Sequence, residues 1–151
     1  MGLDMYLDKH IYIGASYNFN DVKGVIYITS RGKEIPVNFN KVSVIVERAG
    51  YWRKANQIHA WFVQNVQGGE DNCREYWVSK EKLRELYNLC RKVARNHKLA
   101  PELLPTQSGF FFGSTDYDEY YFDDIQQTID ILKPILRDTD DIGDYYYTSS
   151  W

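Results

Sequence analysis

Met5-Tyr-Leu-Asp-Lys-His-Ile-Tyr-Ile13 alternates two nearly equally apolar sets, Met5, Leu7, Lys9, Ile11 and Ile13 against Tyr6, Asp8, His10 and Tyr12. A period of two is the pleat of a β-strand, and two apolar sets describe a strand with one face on a core and an aromatic outer face. Further along, Val25-Ile-Tyr-Ile-Thr29 and Ile35-Pro-Val-Asn-Phe39 flank Ser30-Arg-Gly-Lys33, a glycine-containing link that predicts a hairpin. Pro36 cannot donate to a ladder, which assigns its strand to an edge or a bulge. Val42-Ser-Val-Ile-Val46 adds a fourth β-branched run. Links this short exclude parallel crossovers, so the N-terminal third reads as an antiparallel meander.

Helical spacing takes over afterwards. Ala55, Ile58, Phe62 and Val66 recur at intervals of three and four within 54–66, ahead of Gly68-Gly69. Ser79 is placed to cap a second helix burying Leu83, Leu86, Tyr87, Cys90, Val93 and Ala94 and ending near His97. A third begins near Asp118 with an acidic first turn and runs through Ile125, Ile129, Leu132 and Leu136, with Pro134 expected to kink or shorten it. Strands followed by helices predict an α+β fold, an antiparallel N-terminal sheet with about three helices on one face. Residues 1–137 are expected to form a single domain. Residues 138–151 are acidic and rich in Tyr without a period, and are expected to form a loosely held tail unless their aromatic rings dock on the body.

With 151 residues, 44% hydrophobic and 26% charged, the chain can bury a core without metal or disulfide staples. It holds no apolar run of membrane-spanning length, and its first residues lack the basic flank and apolar stretch of a signal peptide. Tyr6 stands where a myristoylation signal wants Ser or Thr. The expectation is a cytosolic protein that does not engage a membrane. Cys73 and Cys90 have no Cys-x-x-Cys spacing and no completing His, so reduced thiols are expected, with no metal and no cofactor.

The net charge of −3 conceals two halves of opposite sign, +6 over residues 1–100 and −9 over 101–151. An acidic block of this kind is a solvated face, a complement to the basic half, or a surface aimed at a basic partner. Net acidity disfavours direct nucleic-acid binding. The thirteen tyrosines include several outside any regular period, and such a surplus raises the expectation of a symmetric homo-oligomer.

Two segments are candidates for chemistry. In Gly50-Tyr51-Trp52-Arg53-Lys54-Ala-Asn56, followed by Gln57, His59 and Trp61, a helix starting near Arg53 sets Lys54, Gln57, Trp61 and Gln64 on a second stripe. That stripe puts an indole among a cation and two amides, a composition able to stack on a base or meet phosphate. It equally allows Trp61 to pack under a strand and His59 to be a core-edge histidine. The other segment, Thr106-Gln107-Ser108-Gly109 through Phe112-Gly113-Ser114-Thr115 and on to Tyr117 and Tyr120, combines close backbone approach with hydroxyls around three Phe. It is either a ligand-gripping loop or a strand over Phe110–Phe112 between turns, and it lacks the Lys-Ser/Thr of a Walker loop. No nucleophile elbow or His-x-x-x-His spacing orients catalytic groups, and no catalytic residue is assigned.

These segments, Gly50-Tyr-Trp-Arg-Lys-Ala-Asn-Gln-Ile-His-Ala-Trp-Phe62 and the run from Leu103 to Tyr121, together with Met1-Gly-Leu-Asp-Met-Tyr-Leu7, resemble small phage and prophage proteins without a settled activity. The resemblance implies an accessory protein acting in the host cytosol, with counter-defence as one role. Three functions then stand side by side. The first is sequestration of a nucleotide-derived small molecule or immune signal without cleavage. The others are capture of a host defence protein through the acidic Tyr-rich third, and a small hydrolase. The ligand reading nominates Tyr51, Trp52, Arg53, Lys54, Asn56, His59, Trp61, Gln107, Ser108, Phe112, Ser114, Tyr117 and Tyr120.

Overall fold

The computed structural model describes residues 2–19, 22–140 and 142–151. Strands β1 (Asp4–Tyr12), β2 (Ile28–Ser30), β3 (Lys33–Ile35) and β4 (Val44–Arg53) precede helix α1 (Asn56–Asn65). Strand β5 (Tyr76–Val78), helices α2 (Lys80–Arg95), α3 (Ala100–Leu103) and α4 (Glu119–Arg137), and strand β6 (Asp144–Ser150) complete the chain. The α+β class is as expected, with an antiparallel main sheet in the order β4-β1-β6-β5.

The membership of that sheet differs from the predicted meander. Of the four β-rich runs in the N-terminal third, only β1 and β4 enter it, while β2 and β3 pair with each other alone. The turn between them has positive φ at Arg31 and Gly32, the backbone that a two-residue hairpin requires. None of the described residues between 13 and 43 is buried, so this excursion forms an arm beside the body.

The segment expected to be a loose tail needs correction. Residues 144–150 are β6, paired with β1 on one side and β5 on the other. The period that the sequence hid is Tyr145, Tyr147 and Ser149 buried against Asp144, Tyr146 and Thr148 half-buried. Tyr and Ser read as polar, yet a Tyr ring covers as much apolar area as Phe when its hydroxyl has a partner. Gly143 makes entry into the strand possible, with φ +89° and an ideal Cβ position only 2.5 Å from the His10 carbonyl oxygen.

The inner face of the sheet carries Met5, Leu7, Trp52, Val78, Tyr145 and Tyr147, and the helices close over it with Ile58, Phe62, Leu83, Leu86, Ile125 and Leu132. Phe62 stacks on Tyr147 at a centroid distance of 3.9 Å and 7° between planes. Gly50 lets β4 approach α4, since a Cβ there would lie 2.7 Å from the Ile131 Cγ2. Ser79 caps α2 by accepting from the Lys82 N–H, and Cys90 is a core thiol whose pKa burial pushes up, whereas Ala94 faces outward. Pro134 does not cut α4 short. It stands one turn from the end, where its missing N–H orphans only the carbonyl of exposed Asp130, and buried Ile135 holds the last turn on the core. Among the described residues no helix is long and apolar enough to cross a membrane.

Candidate functional site

The two segments nominated from sequence meet at one end of the sheet. Strand β4 runs on through Arg53, and Lys54 then adopts φ +59°, a left-handed conformation closed to a helix, so α1 starts at Asn56. A non-glycine residue in this region costs of order 1 kcal/mol and persists where surroundings impose it. Here the Lys54 N–H donates to the Leu3 carbonyl at 2.7 Å, and the Asn56 N–H to the Lys54 carbonyl at 2.9 Å. The chain thereby reverses direction and presents Arg53 and Lys54 beside the first turn of α1.

Asn56 organises the facing loop. Its Nδ2 donates to the carbonyls of Phe112, at 3.0 Å, and Ser114, at 2.8 Å, while its Oδ1 accepts from the Gln107 N–H at 2.9 Å. One buried amide thus ties both flanks of the 105–118 loop, its two N–H donors and its carbonyl acceptor all being used. Thr106 Oγ1 adds a bond to the Thr115 carbonyl, and the Ser114 Oγ accepts from the Asp116 N–H. No strand forms over Phe110–Phe112. Gly109 turns so tightly that a Cβ would fall 2.5 Å from the Phe112 ring, and Gly113 has φ +88°.

Between this loop, the β4–α1 corner and the start of α4 lies a cleft of about 370 Å³ lined by Arg53, Lys54, Asn56, Gln57, Gly113, Ser114, Asp116, Asp118, Tyr120, Tyr121, Asp123 and Asp124. Asp118 caps α4 through the Tyr121 N–H, and Tyr120 leaves its ring 77% exposed at the rim. Deeper in, burial raises the Asp124 carboxyl to about 6, with Asp123 and Asp118 adding to the shift and a hydrogen bond from Gln57 opposing it. Gln57 Nε2 lies 3.3 Å from Asp124 Oδ2. The Asp124 backbone carbonyl accepts from Thr128, whose hydroxyl in turn accepts from the Trp52 indole.

Five of the thirteen nominated residues, Arg53, Lys54, Asn56, Ser114 and Tyr120, therefore converge on the cleft. The others are placed differently. Trp52 is fully buried under the sheet, and Phe112 is buried edge-on against His59 at 5.2 Å. Tyr51 points to the opposite face of the sheet, where its hydroxyl donates to Asp4. Gln107 contributes its backbone, Tyr117 accepts from the Thr106 N–H, and Ser108 is exposed outside the cleft. The predicted recognition stripe does not form: Lys54 is not in the helix, and Gln57 and Trp61 are buried, the latter beside a small cavity of about 150 Å³ with Leu104 and Pro105.

His59 is completely buried. Its Nδ1 lies 2.7 Å from the Tyr147 hydroxyl and its Nε2 3.0 Å from Asp71 Oδ2, while Asp71 Oδ1 accepts from the Trp151 indole at 3.0 Å. Burial lowers the His59 pKa although Asp71 opposes the change. The arrangement has the order of a proton relay, but neither the imidazole nor the Tyr147 hydroxyl reaches solvent or the cleft. Sequence reasoning missed the cleft carboxylates as ligand groups, although they were visible as the acidic first turn of the third helix. It missed the His59–Tyr147 pair because 88 residues separate the partners. Among the described residues no cluster of three or more His, Cys, Asp or Glu side chains is arranged to hold a metal ion. No known protein family matches this chain, and no curated protein or solved structure does so either.

Proposed function

We propose that the protein is a binding protein whose cleft holds a small nucleoside-type ligand, carrying one phosphate at most, without cleaving it. The observation that carries this reading is the convergence of Arg53, Lys54, Ser114 and Tyr120 with four aspartates on one cleft of about 370 Å³. That volume lies in the range of small-molecule sites. Tyr120 offers a ring for stacking, Arg53 and Lys54 can meet a phosphate, and the carboxylates accept from ribose hydroxyls and exocyclic amines. Four carboxylates against two cations disfavour a polyphosphate, which each ionised aspartate would repel. In the phage setting that the sequence resemblance implies, such a protein removes a nucleotide-derived immune signal by affinity alone.

Host-protein capture through the acidic third has less support. Tyr145 and Tyr147, two of its aromatic anchors, face the core. The hydrolase reading has less support because His59, the imidazole it would use, is buried outside the cleft.

Thermal-shift measurements against nucleosides, nucleoside monophosphates and cyclic mononucleotides, followed by mass spectrometry of the ligand, test the proposal. A ligand at a hundred times its Kd stabilises by about 2.7 kcal/mol, or roughly 5–10 °C for a chain of this size. Recovery of the ligand intact and loss of the shift in Arg53→Ala and Tyr120→Ala support the reading. Three results refute it: no shift with any of these compounds, a shift indifferent to both substitutions, or a cleaved product.

A further inference from the structure

All the buried apolar groups of the main sheet lie on its helix-covered side, and the opposite face is laid out in aromatic rings. Tyr6 and Tyr51 approach at 5.5 Å between centroids, and the Arg48 guanidinium lies over the Tyr6 ring at 4.3 Å. His10 and Tyr146 approach at 4.3 Å, and the Tyr12 and Tyr146 hydroxyls are 2.8 Å apart. These contacts run from strand to strand and leave Tyr12, Val46 and Trp77 more than half exposed. The face is also acidic: Asp4, Asp8 and Asp144, with Glu75 beside His10, stand against Arg48 and Arg53.

The arm between β1 and β4 has the complementary character. Phe19, Val25 and Tyr27 are 81%, 91% and 72% exposed, and Tyr17 stacks on Phe19 rather than on the body. Its sequence carries four cations, Lys23, Arg31, Lys33 and Lys41, against Asp21 and Glu34, and two of the cations, Arg31 and Lys33, stand at the hairpin tip. An excursion of this length inside a compact chain is uncommon unless it has a task of its own, and apolar side chains exposed along it mark a contact surface.

We propose that the arm of each chain docks on the uncovered sheet face of a second copy, giving a reciprocal two-fold dimer. Charge selects this occupant: a cationic, aromatic arm and an anionic, aromatic face are carried by the same chain, and a two-fold axis brings each to the other twice. The arm leaves the sheet at the Tyr12–Val44 end and does not cover its own face, so the two surfaces are available together. The acidity of the face makes a nucleic-acid backbone the poorer occupant.

Sedimentation of the full chain over a dilution series is the test, with a mass of twice 17.8 kDa expected at the upper concentrations. An arm variant, Val25→Asp with Tyr27→Asp, and a face variant, Val46→Lys with Trp77→Lys, change only exposed residues and are each expected to sediment as monomers with unchanged circular dichroism. Mixing them in equal amounts restores dimer in part, because one intact arm then meets one intact face. Hydrogen exchange on the unmodified chain gives a second readout that needs no variant, namely protection of the arm and of β1 that rises with concentration. A native chain monomeric throughout, a dimer that survives both sets of substitutions, or mixed variants that stay monomeric would overturn the proposal. So would a monomer whose arm binds a single-stranded oligonucleotide.

Discussion

The Tyr147 hydroxyl stands 2.7 Å from His59 Nδ1, and this contact joins the last strand of the sheet to the first long helix. Both groups are fully buried, and the far side of the imidazole is held by Asp71 at 3.0 Å. Removing one partner of a buried hydrogen bond leaves the other unsatisfied, at a cost of about 1–3 kcal/mol. Tyr147→Phe keeps the ring stacked on Phe62 and deletes only the hydroxyl. Its expected effect is a fall in melting temperature of roughly 2–10 °C with an unchanged far-ultraviolet spectrum. A variant as stable as the parent would show that the bond contributes nothing.

The pH dependence of stability follows from a buried group, His59, and a half-buried one, Asp124, with opposite effects. His59 has a folded pKa below its ordinary 6.5, so the unfolded chain takes up this proton first. Its contribution is complete above pH 6.5 and is lost as pH falls toward the folded pKa. Asp124 is raised from 3.8 to about 6, so its contribution is complete below pH 3.8 and is lost as pH rises through about 6. Between 3.8 and 6.5 the two oppose each other. Asp124→Asn removes one of them, and its melting temperature is expected to fall more steeply on acidification than that of the parent. Parallel curves for the two proteins across this window would contradict the assignment.

Asn56 is predicted to act on ligand binding through the loop it ties. Asn56→Ala breaks three hydrogen bonds to the flanks of 105–118, and Asn56→Asp replaces a donor with an anion facing two carbonyls. Both variants are expected to speed proteolytic cutting and amide exchange within the loop, the Asp variant more severely. Affinity for a cleft ligand should fall in step, since a preorganised loop avoids paying for order on binding. Unchanged exchange in the loop would show that other contacts hold it.

The three long helices were legible from residue spacing because their apolar stripes repeat on one face and two of their caps, Ser79 and Asp118, are local, whereas the short α3 was not and α1 starts later than its spacing suggested. The main sheet was half legible. Strand β1 showed its period, but β-branched propensity in the arm marked extended chain without saying whether it would join a sheet, because propensity does not encode the partner. Strand β6 was hidden by chemistry, its inward positions being Tyr and Ser. At the site, the sequence identified the two segments that meet, and five of their residues line the cleft. It could not separate Trp52 and Phe112, which pack inward, from Arg53 and Ser114 beside them. One residue's difference along a strand or turn reverses the direction of a side chain.

Truncation after Arg137 separates these two descriptions of the C-terminus. A loosely held tail could be removed with little loss. As the structure stands, the cut removes β6 from between β1 and β5, together with Tyr145 and Tyr147 from the core and the partner of His59. Burying a large side chain contributes about 1.5–3 kcal/mol, and the strand adds two ladders of hydrogen bonds. Against a total of about 5–15 kcal/mol for a domain, the loss of both rings and the ladders is expected to abolish cooperative unfolding. Gly143→Ala is the milder companion, straining a backbone at φ +89° and driving a methyl toward the His10 carbonyl. It should lower stability measurably while leaving a folded protein. A truncated chain that melts sharply near the parent temperature would place β6 outside the cooperative core.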